Sequence, residues 1–315
     1  MNPKVSIGIP AYKPEFLEEA IASVLAQTFE DWELIVVDDY SPADIKGIVG
    51  KFTDQRISYY RNEQNIGAED PSYNWNRCLE YACGEYFCLL CDDDVYHPTF
   101  LEEMLKLTEQ FPSCNVFRAK IQIIDKDGNV TGRFPSSPLW ESCEDYIWHR
   151  TRGMRHQTIS EWMLRTQHLR DCGEYVHFPC AWASDVESIY RTCVDGGIAS
   201  SYKVLLSFRN SGLNISMRHN KDLEKKLYAL VMEREQTIEL IQREGMCPEL
   251  AKCVQMNQEY EARALLKHTD ALTFVKMGLL RREQFGIRLK SFVVDCMRRL
   301  LACLMPTSKA TSQIA

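Results

Sequence analysis

Apolar and polar positions in the first 125 residues switch repeatedly between two periods. "VSIGI" (5–9) and "ELIVV" (33–37) are short β-type runs, and the second stops at Asp38, as a strand buried on both faces does. Between them Leu17, Ala20, Ile21, Val24 and Leu25 recur at helical spacing. A weaker helix over 43–52, a strand "ISYYR" (57–61), a helix through "YNWNRCLEYA" ending at Gly84 and a strand "YFCLLC" (86–91) continue the alternation. Pro98 opens a further helix, "TFLEEMLKLTEQF", and "VFRAKIQIID-KDGN-V" adds a strand with a glycine-containing turn.

Such alternation predicts an α/β fold: a Rossmann-like, mostly parallel sheet with helices on both faces. Residues 133–156 lose the pattern, as a loop over a site or a plain surface connection would. A β-like "TISEWML", a helix over 184–195 and a strand "SYKVLLSFR" follow. From about 218 the chain turns charged and helix-forming up to about 305, broken near "EGMCPEL". The expected division is a catalytic domain over 1–217 and a mainly helical extension over 218–315.

Composition narrows the class. Hydrophobic residues are 45% and charged residues 26%, as in globular proteins, and the formal charge of −7 argues against nucleic acid as the main partner. The N-terminus lacks the build of a signal peptide, and no window reaches the ~18 unbroken apolar residues that cross a bilayer. Thirteen scattered cysteines read as reduced thiols, which suggests a cytoplasmic location. The single CxxC, Cys88 and Cys91, lies inside a strand with no second pair to complete a zinc site.

Two acidic groups follow strands: Asp38 with Asp39, and Asp92, Asp93 and Asp94. Ligands of parallel sheets bind outside the carboxyl ends of the strands, so both groups belong on one rim. Consecutive carboxylates there suit a hard divalent cation, Mg²⁺ or Mn²⁺, that neutralises a phosphate-bearing leaving group. The alternative is an acidic loop that caps the helix opening near Pro98.

Six segments in order resemble the family 2 nucleotide-sugar glycosyltransferases, which have the GT-A fold. They are "VSIGIPAYKP" with the "VVDDYSPAD" that follows, "NIG" (65–67), "CGEY" (83–86), "LLCDDDVYHP", "ASDVESIYR" and "FRNSGLNIS" (208–216). The resemblance implies a metal-dependent enzyme that transfers a sugar from a nucleotide diphosphate, UDP-linked by preference, with inversion. The acceptor would be a hydroxyl of a saccharide or lipid-linked glycan. Pro10, Ala11 and Tyr12 would line the nucleotide, Asp39 would accept a hydrogen bond from its base, and Asn76 would lie nearby. Asp93 would be the leading metal ligand, with Asp92 toward the ribose or diphosphate and Asp94 beside them. Asp185 would be the general base and Trp182 would line the acceptor pocket.

The chain departs from that pattern at Cys91, Ser184 and Ser211, which stand where relatives have an acid, an acid and a histidine. Arg209 and Asn214 are kept, and Trp75–Asn76–Arg77 displaces the usual Arg-Asn. Two rivals remain. A nucleotidyltransferase would carry a glycine- and base-rich loop where "PAYKPEF" stands, and a non-catalytic nucleotide- or sugar-binding relative would have lost turnover.

The segment 287–305 gathers Leu289, Phe292, Val293, Cys296, Leu300 and Cys303 near one helical face and carries Arg288, Lys290, Arg298 and Arg299. It suits either peripheral contact with an anionic membrane or packing on the catalytic domain or another subunit.

Overall fold

The structure, a computed structural model, describes residues 2–212, 222–267, 269–277 and 281–304. Its strands are β1 (Val5–Ala11), β2 (Trp32–Asp38), β3 (Ile57–Arg61), β4 (Tyr86–Leu89), β5 (Val95–Tyr96), β6 (Val116–Ile124), β7 (Val130–Arg133), β8 (Trp140–Glu141), β9 (Trp162–Arg165) and β10 (Ile198–Arg209). The helices are α1 (Leu17–Leu25), α2 (Ile45–Val49), α3 (Ser72–Tyr81), α4 (Phe100–Gln110), α5 (Cys143–Arg150), α6 (Thr166–Asp171), α7 (Ser184–Cys193), α8 (Leu223–Arg243), α9 (Pro248–Lys267), α10 (Ala271–Val275) and α11 (Leu289–Leu304).

One sheet runs in the order β3-β2-β1-β4-β9-β6-β10-β5, with β7 beside β6 and β8 beside β10. β3, β2, β1 and β4 are parallel, as are β6 and β10, while β9 runs antiparallel between β4 and β6. The mostly parallel expectation holds, with β9 as the inversion that joins its two halves. Ile7, Ile9, Leu34 and Val36 bury one sheet face against α1, α2 and α4. Ile35, Val37, Phe87 and Leu89 bury the other against α3, α5 and α7, which is why these strands read as unbroken apolar runs. Gly84 marks the close approach of β4 to β1: a Cβ there would lie 2.6 Å from the Ser6 backbone nitrogen.

Residues 133–156 are not a bare loop. α5 forms within them, its Ser142 hydroxyl accepting from the Asp145 N–H and its Cys143, Tyr146 and Ile147 facing the core. The extension past 218 is helical, with α8 and α9 separated near Gly245 as expected. Its helices share a core of Leu227, Leu230, Leu266, Phe274 and Phe292. They also reach back to the sheet domain, where Leu240, Ile241, Leu250 and Val254 join the cluster around α3, α5 and α7.

The apolar residues of α11 divide between two faces. Phe292 is buried against Phe274, whereas Leu289, Val293 and Met297 are about half exposed. Asn214 lies outside the described residues, as do the side chains of Leu300 and Cys303. No helix among the described residues is long and apolar enough to cross a membrane, and their cysteines are free thiols.

Candidate functional site

The strand order 3-2-1-4 reverses direction between β1 and β4, and their pairing ends at Gly8 opposite Leu89. Past that point the chains part, which opens the crevice where α/β sheets take ligands. Pro10 and Ala11 finish β1 at its mouth, followed by Tyr12 and Lys13, with Asp92–Asp94 just beyond β4. Asp92 Oδ2 accepts from the Tyr12 and Lys13 N–H groups at 3.0 and 2.8 Å, locking the two strand ends together. Lys13 Nζ lies 3.2 Å from Asp92 and 2.5 Å from Asp93. Burial disfavours its charge, but those two carboxylates outweigh that and keep it firmly an ammonium. Repulsion among three consecutive acids is thus relieved by a cation from the neighbouring strand.

Asp94 is fully buried and doubly anchored. Its Oδ2 accepts from the Ser160 hydroxyl at 2.6 Å and its Oδ1 from the Arg209 N–H at 3.0 Å. Burial, then the Asp93 charge, pushes its carboxyl up to about 7. The Arg209 side chain donates to the Asp93 carbonyl at 2.9 Å and pairs with Glu19, tying the acidic turn to β10 and α1. Ser160 Oγ also accepts from the Cys91 N–H at 3.0 Å, so one serine before β9 fixes both ends of the turn. Asp93 is the freest of the three: its Oδ1 makes no hydrogen bond among the described residues.

Ligand atoms of Cys91, Asp93 and Asp94 lie within 4.8 Å of one another. Burial holds the Cys91 thiol well above its ordinary range, so it stays neutral and the charged donors are carboxylate oxygens. A hard divalent cation fits that donor set. Lys13 already supplies positive charge to one of these acids, Asp93, as it does to Asp92.

On the β2 side, Asp39 Oδ1 accepts from Ile66 N–H and the Asn62 amide at 2.9 and 2.8 Å, and its Oδ2 from Gly67 N–H at 2.8 Å. Asp39 therefore pins the "NIG" loop; a Cβ at Gly67 would meet its Oδ2 at 2.7 Å. Asp38 is fully buried and holds Ser41 N–H, Tyr59 and Arg61, while the Ser41 hydroxyl donates to the Tyr12 carbonyl at 2.6 Å. Tyr12 and Tyr40 stay exposed above this network, 43% and 53% respectively. Tyr12 thus stands exposed just past the end of β1, while the Tyr40 ring lies under the Arg61 guanidinium at 4.9 Å.

Asp185 comes from another segment, in the first turn of α7. The turn before it is strained: Cys180, Ala181 and Ala183 all have φ between 50° and 62°, a region that costs a non-glycine residue about 1–3 kcal/mol. Ser184 Oγ accepts from the Phe178 N–H at 3.1 Å, so the serine that replaces the family's acid braces this turn. Burial pushes the Asp185 carboxyl above the usual range, opposed by the Gln157 amide, which donates to it at 2.9 Å, and by the Arg150 charge. Asp185, Gln157, Trp182, Trp75, Arg150 and Glu261 all line a cleft of about 570 Å³ between the sheet domain and α9.

The Asn76 amide on α3 donates to the Tyr175 carbonyl and accepts from the Tyr175 N–H, at 2.8 and 2.9 Å, so it fixes that loop. Arg77 is a surface residue paired with Glu80. Lys13, Ser160, Gln157 and Arg150 escaped sequence reasoning. Only Lys13, the lone base directly after a strand that enters the rim, left a sequence signal.

An α/β sheet with its acids at the β1–β4 crevice, and a second carboxylate on a separate strained turn, defines a glycosyltransferase of GT-A fold. The chain belongs to Glycosyl transferase family 2, whose model matches residues 6–170. It is 33% identical over 150 residues to a GalNAc(5)-diNAcBac-PP-undecaprenol beta-1,3-glucosyltransferase of Campylobacter jejuni, covering 45% of each chain. It is 36% identical over 104 residues to WfgD of Escherichia coli, a UDP-Glc:alpha-D-GlcNAc-diphosphoundecaprenol beta-1,3-glucosyltransferase, covering 33% of this chain and 40% of that one. These matches thus span less than half of those relatives' length. Among solved structures it resembles S. aureus TarS 1–349 with a TM-score of 0.66 at 17% identity, over 94% of this chain and 87% of that one. A complex of that TarS fragment with UDP-GlcNAc gives 0.64 at 17% identity, over 95% and 83%.

Proposed function

We propose that the chain is a metal-dependent, inverting glycosyltransferase that moves a sugar from a nucleotide-diphosphate donor, UDP-linked by preference, to a hydroxyl of a saccharide or lipid-linked glycan. The observation that carries this reading is the pairing of two acid groups on separate segments, Asp92–Asp94 on the β4 rim and Asp185 on the strained turn. Direct displacement at an anomeric carbon needs its base and its leaving group on opposite sides. The UDP-GlcNAc complex of the TarS fragment and the lipid-linked substrates in the two relatives' names support the donor and acceptor classes.

In this reading Tyr12 flanks the nucleobase, the loop pinned by Asp39 closes on it, and the Pro10–Ala11 strand end holds the ribose side. Asp93, with Asp94 beside it, would hold Mg²⁺ or Mn²⁺, and Asp92 would lie toward the ribose or diphosphate. The bound cation supplies electrostatic stabilisation for the diphosphate as it leaves. Lys13 adds a second positive charge to the same edge. Asp185 takes the proton of the attacking hydroxyl, and Gln157 orients its carboxylate. A base raised above the usual aspartate range is better matched to neutral pH.

Asp185→Asn tests the assignment. Transfer should fall by about 10²–10⁴-fold, the usual worth of a general base, while nucleotide binding read by thermal shift is kept. Unchanged transfer would refute the role. Screening nucleotide diphosphates and their sugars by thermal shift, with and without Mn²⁺, identifies the donor, because a ligand of the native state raises its apparent stability.

A further inference from the structure

The cleft that ends at Asp185 has a far wall outside the sheet domain. Glu261 and Ala264 of α9 line it together with Trp182, and Arg150, at the end of α5, lies beside Glu261. Arg150 is the anomaly. Its Nε is buried without a partner, and its guanidinium makes no hydrogen bond among the described residues. Its ion pair with Glu261 is loose, at 3.8 Å. Buried donors are rarely left unmade, and a guanidinium offers five of them in a fixed plane. The Glu261 carboxylate beside it accepts one bond from Asn257 at 3.1 Å and keeps further acceptor capacity.

We propose that this cleft is the acceptor subsite for a neutral pyranose, and that Arg150 and Glu261 form the donor–acceptor pair that selects it. The inference rests on the reading of Asp185 as the group that receives the acceptor hydroxyl. A donor and an acceptor side by side match adjacent hydroxyls of a sugar ring, each of which gives one bond and takes one. Trp182 and Trp75 also line the cleft and supply apolar aromatic surface for the ring itself. The volume falls in the ~300–1,000 Å³ range of small-molecule sites. Charge decides the class of sugar. Two carboxylates, Asp185 and Glu261, face the space against the Arg150 guanidinium. The His156 imidazole lines it too, but burial and the Arg150 charge disfavour its cationic form. An acidic sugar therefore meets net repulsion and a neutral one does not. Glu261 lies beyond residue 170, where the family match ends, so part of the selectivity comes from the helical extension.

The test uses saturation-transfer NMR on the full chain with diamagnetic Mg²⁺ and UDP. The probes are methyl β-D-glucopyranoside, methyl N-acetyl-β-D-glucosaminide and methyl β-D-glucuronide. The neutral glycosides should bind and the glucuronide should not. Glu261→Gln and Arg150→Lys should each weaken neutral binding about tenfold, the usual cost of one charge-assisted hydrogen bond. Ala264→Phe, which fills the cleft and removes no polar group, should abolish it. The nucleotide signal should persist in all three variants and certify that each is folded. Preference for the glucuronide, neutral binding unaffected in the variants, or no glycoside bound by the wild-type chain would each overturn the proposal. Loss of the nucleotide signal in the wild type, with glycoside binding intact, would instead count against the donor reading alone.

Discussion

Lys13 decides how the acidic rim survives without a divalent ion. It joins Asp92 and Asp93 by ion pairs, so Lys13→Met should leave their repulsion unrelieved. The expected result is a lower melting temperature in a chelator, largely restored by millimolar Mn²⁺; a drop that Mn²⁺ does not reverse would separate the rim from metal binding. Glu233 on α8 is a second site with a calculable sign. Burial, and then the charge of Glu261, pushes its carboxyl up to about 8, with Arg150 opposing. Its folded value exceeds its ordinary one, so the native state holds the proton that the unfolded chain has lost. Stability from this group is therefore complete below about pH 4.5 and declines as pH rises to about 8. Glu233→Gln should flatten the melting temperature between pH 5 and 8 and raise it by a few degrees at pH 8.5, measured by calorimetry across that range.

The same division between visible and hidden runs through the elements. Strands β1, β2 and β4 were legible because both of their faces are buried, so apolar runs end where the rim begins. The acids after them were legible for the same reason. α5 was not, because its three inward residues, Cys143, Tyr146 and Ile147, are outnumbered by charged and aromatic neighbours. The Asn76 side chain turns to the Tyr175 peptide, a contact across 99 residues that no local pattern encodes. Arg150 and Glu261 are 111 positions apart and meet only through tertiary packing, which makes their cleft invisible in one dimension. Gly84 was readable as a helix stop, but its stronger role is the contact of β4 with β1. Gly84→Ala would force a Cβ against the Ser6 backbone and should cost more than about 2 kcal/mol, seen as a lowered urea midpoint with an unchanged slope.

At the scale of the whole molecule, α11 turns Phe292 and the Asp295–Arg263 pair inward and leaves Leu289, Val293 and Met297 outward. Arg298 and Lys290 flank that exposed stripe. It suits shallow insertion into an anionic bilayer, beside which a lipid-linked acceptor would lie. The full chain should co-sediment with phosphatidylglycerol vesicles and less with phosphatidylcholine ones, and Leu289→Ser with Val293→Ser and Met297→Ser should end it. Equal, negligible binding of both forms would assign the stripe to a protein neighbour.

The left-handed run around Trp182 bears on what the extension is for. The Ser184 hydroxyl braces that backbone from within, and the helical extension packs against it from outside. Phe178 and Val176 lean on Ala229, the Lys226 ammonium sits 4.5 Å from the Trp182 ring, and Thr237 donates to Glu187, two residues past Asp185. A chain stopped at residue 217 would keep the acidic rim and lose the packing behind the turn that carries Asp185. On the proposed reading, it should still take up nucleotide and transfer no sugar.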